Sequence, residues 1–362
     1  MKIGILGTRG IPNNYGGFEQ FAEHFATFMA KKDHNVFVYN SSNHPYRQTV
    51  FKGVNIIHCQ DPENKIGTIG QFVYDFNCII DSRKRNFDIL LQLGYTSNSI
   101  WHRFLPKNSV IITNMDGLEW KRSKYSYLNK VFLKYAEELA VKSSDFLISD
   151  SLGIKSYLSK KYNAKSKYIA YGADPVDNPE TQPLEHYEVV PQNYNMLIAR
   201  FEPENNLEMI LDGANLAIKK TPLLVIGNHG NKFGAYLKNK YKHNSYIRFI
   251  GGIYNTRHLN ALRFYSKLYF HGHSVGGTNP SLLEAMASRA LIIAHHNEFN
   301  YSILENDAFY FSSKEDVKGY IDNLDKKQHT HKIENCVKKI HKKFTWELIN
   351  NRYLDFFNEC KE

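Results

Sequence analysis

The stretch from His271 to Arg289, HGHSVGGTNPSLLEAMASR, carries residue types suited to holding an anion beside hydroxyl groups. Gly276 and Gly277 let the backbone turn tightly or approach a ligand, Thr278 or Asn279 can cap a following helix, and Pro280 suits that helix's first position. Leu282, Leu283, Ala285, Met286 and Ala287 give the helix a buried face. The orphan N–H groups and positive dipole end at its start favour an anion beside Gly277, Thr278 and Asn279. Glu284 is acidic among apolar neighbours; hydroxyl groups of a ligand would satisfy it, or it simply faces solvent at a strand–turn–helix corner.

Three further stretches offer related chemistry. Arg200 closes an apolar run from Tyr194 to Ala199 and precedes Phe201-Glu-Pro-Glu-Asn-Asn206. A guanidinium there can fork onto phosphate oxygens, or it can bridge to Glu202 or Glu204. Near the N-terminus, Lys2 to Leu6 feeds Gly7-Thr-Arg-Gly10 and then Gly16-Gly17, whose amides can approach a diphosphate while Arg9 adds charge. The spacing is not GxGxxG, and no clear acid beyond Asp33 follows at about 20 residues, so a dinucleotide cofactor is weakly supported. Asp116 and Glu119 follow the apolar run Val110 to Asn114, at a strand end where open α/β sheets bind ligands; alternatively Asp116-Gly117 is a turn and Glu119 starts a helix. His271 and His273 share a face of an extended segment, with no third metal ligand beside them.

The elements that must position these residues read as alternating short apolar strands and amphipathic helices, the grammar of a doubly wound parallel sheet. Strands are expected at Val36 to Asn40, Val54 to His58, Phe87 to Leu93 and Phe146 to Ser149, and the pattern restarts after a proline- and acid-rich stretch at 176–193, read as the linker. A helix from Tyr125 to Ala140 has Leu128, Val131, Phe132, Tyr135 and Leu139 on its apolar side. After about Asn335, a basic amphipathic tail with Phe344, Trp346, Ile349, Tyr353 and Phe356 must pack on something.

Length and composition bound the rest. The 362 residues allow two ordinary domains, and 46 basic against 36 acidic residues give a net charge of +10, which suits an anionic partner. Four scattered cysteines show neither metal nor redox spacing and read as free thiols in a reducing compartment. No apolar signal region opens the sequence and no spanning run occurs, so a cytoplasmic location is expected. Basic residues outnumber acidic ones between Lys121 and Lys167, and interleaved tyrosines suit contact with anionic lipid as well as a plain solvated face.

Two Rossmann-like halves resemble the GT-B glycosyltransferases. Together GTRGIPNNYGGFEQF, NMDGLEWKRSK, YIAYGAD, ARFEPENN and HGHSVGGTNPSLLEAMAS resemble the bacterial rhamnosyltransferase branch of the retaining family-four enzymes. The resemblance implies an α/β GT-B fold: an acceptor-binding domain over residues 1–178, a nucleotide-sugar domain over 190–342 across a central cleft, and a C-terminal helix over 343–362 packed back on the first domain. It implies transfer of L-rhamnose from dTDP-L-rhamnose to a lipid-linked saccharide in capsule or O-antigen assembly, without cofactor or metal and without nucleic acid as partner, at or near the inner membrane face. By the same resemblance, Gly16 and Gly17 face the donor diphosphate, Arg200 binds phosphate, Gly277, Thr278 and Asn279 put amides on phosphates or sugar, and Glu284 binds the ribose. Asn205 stands where the family has a lysine, and Gly276 where it has a first glutamate. Asp116 then orients the acceptor hydroxyl in a retaining reaction or is the base in an inverting one. A GT-B nucleotide-sugar epimerase and a noncatalytic nucleic-acid binder are the alternatives.

Overall fold

The structure is a computed structural model that describes residues 1–122 and 125–361. Ser123 and Lys124 of the basic run after Trp120 lie outside the described residues. The chain forms two compact units: the first holds Met1–Lys121 and Tyr125–Gly172 and takes the chain back from Trp346, and the second holds Ala173–Thr345.

The first unit contains β1 (Lys2–Leu6), α1 (Gly17–Lys31), β2 (Asn35–Ser41), β3 (Val50–Phe51), β4 (Val54–Cys59), α2 (Glu63–Ile66), α3 (Ile69–Ser82), β5 (Ile89–Leu93), β6 (Val110–Asn114), α4 (Tyr127–Ser143), β7 (Phe146–Ser149), α5 (Leu152–Tyr162) and β8 (Lys167–Tyr168). Its sheet runs β3-β4-β2-β1-β5-β6-β7-β8, parallel except for the short edge strand β3. Helices cover both faces of such a sheet, so its central strands are continuous apolar runs; Ile89, Leu90, Leu91 and Leu93 of β5 are all buried.

The second unit contains α6 (Gln182–Glu185), β9 (Asn195–Ile198), α7 (Leu207–Leu216), β10 (Leu223–Ile226), α8 (Lys232–Lys240), β11 (Ile247–Gly251), α9 (Thr256–Tyr265), β12 (Leu268–His271), α10 (Pro280–Ala287), β13 (Ile292–His295), α11 (Glu298–Leu304), β14 (Phe309–Phe311), α12 (Lys314–Asn323) and α13 (Thr330–Lys339). Its all-parallel sheet runs β11-β10-β9-β12-β13-β14. The stretch at 176–193 is part of this unit and not a free linker: Leu184, Tyr187 and Val189 are buried, and the Val176 N–H donates to the Ala287 carbonyl at 3.0 Å. The crossing comes earlier, at Gly172 and Ala173.

The final helix, α14 (Trp346–Glu359), belongs to the first unit. It packs on α1 through Tyr353 against Phe21 (ring centroids 4.7 Å), Phe357 against Phe25 (5.4 Å) and Trp346 stacked on His24 (4.3 Å). Its aromatic stripe thus finds the cover that the sequence demands. Among the described residues, no helix is long and apolar enough to cross a membrane.

Candidate functional site

In the second unit β9 lies between β10 and β12, so the connections leaving β9 and β12 depart to opposite sides of the sheet. Crevices at such reversals, outside the carboxyl ends of the strands, are where open α/β sheets take ligands. The loop after β9 carries Arg200 to Asn206 and the loop after β12 carries Gly272 to Asn279. They are tied together: Asn206 Nδ2 donates to the Gly272 carbonyl at 2.8 Å, and the Ser274 N–H and hydroxyl donate to the Glu204 carbonyl at 3.1 and 2.7 Å. A Cβ on Gly272 would stand 2.0 Å from the Asn205 carbonyl oxygen, so only glycine permits this approach.

Arg200 is exposed, and among the described residues its guanidinium makes no ion pair. The bridge to Glu202 or Glu204 allowed by the sequence is therefore not formed. Asn205 is buried and turns its amide inward, Nδ2 donating to the Arg200 carbonyl at 2.8 Å. It shapes the loop that presents Arg200; its side-chain donor is engaged with backbone.

His271 and His273 stack with centroids 4.5 Å apart. Burial pushes the His271 imidazole down to about 3. Burial, then His271, then the Arg200 cation hold His273 well below its ordinary range. Both rings are thus neutral at neutral pH, which leaves the positive charge of this loop pair to Arg200. Among the described residues no cluster of three metal-ligating side chains occurs.

The glycine loop is open where it needs to be. Gly276 has φ +133°, and no atom lies within 4 Å of where its Cβ would be. Thr278 is buried. Asn279, not Thr278, caps α10, its side-chain oxygen accepting from the Ser281 N–H at 2.9 Å, and Pro280 takes the first helical position. Gly277 lies just before this capped start, beside the helix's orphan N–H groups.

Glu284 has a partner that the sequence reading missed. Its carboxylate pairs with the guanidinium of Arg263 on α9, a side chain only 2% exposed. The available signal was an arginine set between Leu262 and Phe264 on a helix facing the core; nothing in the sequence joined it to Glu284, 21 residues on.

In the first unit the reversal lies at β1, between β2 and β5. Gly7, with φ +85°, brings the loop after β1 against the loop after β5, its missing Cβ 2.2 Å from the Leu93 carbonyl oxygen. Gly16 is the N-cap of α1 and Gly17 its first residue. Glu19 in that first turn is buried and accepts from the Thr8 hydroxyl at 3.2 Å and the Arg9 N–H at 2.8 Å. Arg9 is paired with Glu63 and lies 4.6 Å over the Tyr15 ring, so its charge is matched within the unit instead of being left for a diphosphate.

Asp116 follows β6 at the same end of this sheet, half-buried, and its carboxylate acts electrostatically on Tyr171. Burial first, and Asp116 second, raise the Tyr171 hydroxyl well above its ordinary value. Glu119 opens a short turn over Glu119–Lys121 and is not buried. That loop is anchored by a group the sequence reading passed over. The Glu137 carboxylate is buried and accepts from Trp120 Nε1 at 3.1 Å, the Tyr157 and Tyr162 hydroxyls at 2.7 Å each, and Lys161 Nζ at 3.0 Å. The Tyr95 hydroxyl ties the same cage to the Gly117 carbonyl at 3.3 Å.

The structure thus brings Arg200, Asn205 and the Gly277 to Asn279 loop to one end of the second sheet, assigns Glu284 to Arg263, and sets Gly16, Gly17 and Asp116 at one end of the first. A family model described as a domain of unknown function, DUF1972, matches residues 1–174. No curated protein sequence matches the chain. Among solved structures, sucrose-phosphate synthase from Thermosynechococcus elongatus superposes with a TM-score of 0.80 at 13% identity, over 99% of this chain and 98% of that one. HepE from Anabaena, solved with UDP and glucose, gives 0.78 at 13% identity over 99% and 100%. An α,α-trehalose-phosphate synthase (UDP-forming) from Burkholderia xenovorans gives 0.75 at 10% identity over 99% and 100%. At such identities the likeness carries the fold, and it spans both units: this chain has the two-domain α/β architecture of the GT-B glycosyltransferases.

Proposed function

We propose that this protein is a glycosyltransferase that moves a sugar from a nucleotide-diphospho-sugar to an acceptor hydroxyl. The finer reading, in keeping with the GGTNP-type loop of the sequence, is L-rhamnose from dTDP-L-rhamnose passed to a lipid-linked saccharide during cell-surface polysaccharide assembly. The observation that carries it is Arg200: an exposed guanidinium without an ion pair among the described residues, at the reversal point of a parallel sheet, on a loop tied to a glycine-rich loop that enters a helix. Structures of like fold have been solved with UDP and with UDP-glucose, which supports a nucleotide-sugar donor here.

In this reading the bond from the anomeric carbon to the diphosphate oxygen breaks, and negative charge grows on the leaving diphosphate. Arg200, the amides near Gly277 to Asn279 and the start of α10 stabilise that charge because they are fixed in advance. In a retaining course the departing phosphate oxygen accepts the acceptor's proton, and Asp116 orients the acceptor hydroxyl or steadies the cationic sugar centre. Gly16 and Gly17 give the donor phosphates room against the start of α1. The neutral His273 beside Arg200 adds no charge that would hold product back. The donor is a substrate, and the reaction calls for no further cofactor. Such work on a lipid-carried acceptor places the protein in the cytoplasm, at the inner face of the membrane.

The test incubates purified protein with dTDP-rhamnose, UDP-glucose and GDP-mannose in turn, with and without a lipid-linked saccharide acceptor. Acceptor-dependent release of dTDP supports the full reading. Release with another donor keeps the glycosyltransferase and corrects the sugar, whereas isomerised donor without transfer makes it an epimerase.

A further inference from the structure

Helix α4 does not bury the side that its sequence marks as apolar. It buries Leu133, Ala136, Glu137 and Ala140, and leaves Tyr127 80% and Leu128 77% exposed, with Val131 and Tyr135 also exposed. Residues at these spacings form one stripe on a helix. The stripe continues onto α3, because the Phe132 and Phe72 rings meet at 5.7 Å and the neighbours of Phe72 include Val73 and, one turn back, Ile69, which is 67% exposed. A contiguous exposed apolar face of this kind marks an interaction surface, whereas single exposed hydrophobics do not.

Charge says what covers it. Lys130 and Lys134 lie beside the stripe on α4, and Lys121 precedes it in the sequence. The exposed Lys65 and Arg103 belong to α2, which packs on α3, and to the turn over Ser99–Phe104, which packs on α3 and α4. The carboxylates on these elements are largely engaged: Glu63 by Arg9, Glu138 by Lys142, Asp81 by Arg85, and Glu137 inside its cage, while Asp75 is buried against Ser97 and Glu119 has contacts of its own. An apolar stripe with tyrosines at its margin and lysines around it matches a bilayer interface: side chains enter the acyl boundary while ammonium groups meet phosphates.

We propose that the α3 and α4 face of the first unit docks this protein on anionic phospholipid bilayers. The inference rests on the reading of a lipid-carried acceptor, and gives it a place: the Asp116 to Trp120 loop comes just before α4 in the sequence, and Lys134 of α4 lies 4.6 Å over the Trp120 ring.

The test sediments the full chain with vesicles of phosphatidylcholine alone and of phosphatidylcholine mixed with phosphatidylglycerol, at low and high salt. The expected result is binding that requires phosphatidylglycerol and weakens by roughly tenfold at high salt. Leu128→Ser with Val131→Ser, and separately Lys130→Glu with Lys134→Glu, should each lower vesicle binding by about tenfold or more. Because these side chains are exposed or half-buried, thermal stability and nucleotide affinity should be unchanged. Failure to bind anionic vesicles, or equal binding by both variants, overturns the proposal. So does a dimer in sedimentation equilibrium that the serine pair dissolves, since the face then joins two copies of this chain. Vesicle binding by a protein that transfers no sugar upholds the docking face and removes the glycosyltransferase reading; transfer to a soluble acceptor without vesicle binding does the reverse.

Discussion

Asn205 donates its side-chain amide to the main-chain carbonyl of Arg200 at 2.8 Å, closing the loop that presents the guanidinium. The second contact on the same loop is the close approach of Gly272 to the Asn205 carbonyl oxygen. Together they make the direction of Arg200 a property of backbone packing.

Loss of that brace should therefore act through Arg200. Asn205→Ala leaves a buried loop short of one hydrogen bond, worth about 1 kcal/mol, and should lower kcat/KM by about tenfold. Gly272→Ala should do more, because the new Cβ forces the two loops apart. Steady-state kinetics beside thermal melts check both: an activity loss far beyond the stability loss identifies positioning, and parallel losses identify mere unfolding.

The Arg263 and Glu284 pair predicts a stability effect where the family resemblance alone implies one on binding. Glu284→Ala leaves an almost fully buried guanidinium without its carboxylate, and should cost about 3 kcal/mol in urea unfolding. Glu284→Gln keeps a hydrogen-bond acceptor and should cost less. A variant at full stability with reduced nucleotide affinity would return Glu284 to a ligand role alone.

Asp75 supplies a pH signature. Burial pushes its carboxyl up to about 7, against a Ser97 hydroxyl that pulls the other way. Its folded-state pKa lies above the unfolded value, so the native state holds more protons between the two, and stability from this group falls as pH rises from about 4 toward 7, by about 1.4 kcal/mol for each pH unit. His271 and His273 oppose it, since their depressed values make the native state lose stability as pH drops below the ordinary histidine range. Comparing wild type with Asp75→Asn isolates the carboxyl: urea midpoints between about pH 5 and pH 7 should fall with pH in the wild type relative to the variant. A difference that does not vary with pH would mean that Asp75 ionises normally.

The Glu137 cage predicts a spectroscopic change at a distance in sequence. Glu137→Leu removes the acceptor of Trp120 Nε1, two tyrosine hydroxyls and Lys161, and should cost at least about 3 kcal/mol. The gentler Glu137→Gln should fold and shift tryptophan emission as the Trp120 environment loosens. Unchanged emission in Glu137→Gln would show that the Asp116 to Trp120 loop is held by other contacts.

What the sequence made legible follows physical lines. Buried parallel strands are short apolar runs, so Lys2–Leu6, Val110–Asn114 and Phe146–Ser149 were readable to the residue, as was the glycine-to-helix corner at Pro280. The two-residue edge strand β3 was not, because its pairing with β4 is set by tertiary context more than by any run of its own. The stretch at 176–193 looked like a linker by composition, yet Leu184, Tyr187 and Val189 find a core to enter. Periodicity marked an apolar side on α4 but not whether protein covers it; that depended on neighbours far along the chain. The partners of Glu284 and Glu137 were hidden for the same reason, since ion pairs across elements leave no local pattern.

The most direct measurement of the central claim is calorimetric titration of dTDP and UDP, alone and as sugar conjugates, into wild type and Arg200→Ala. The account predicts binding to wild type and a loss of about 2 to 3 kcal/mol in the variant, in line with a charged hydrogen bond to phosphate. Wild type that binds no nucleotide diphosphate, or a variant that binds it equally well, would contradict the account.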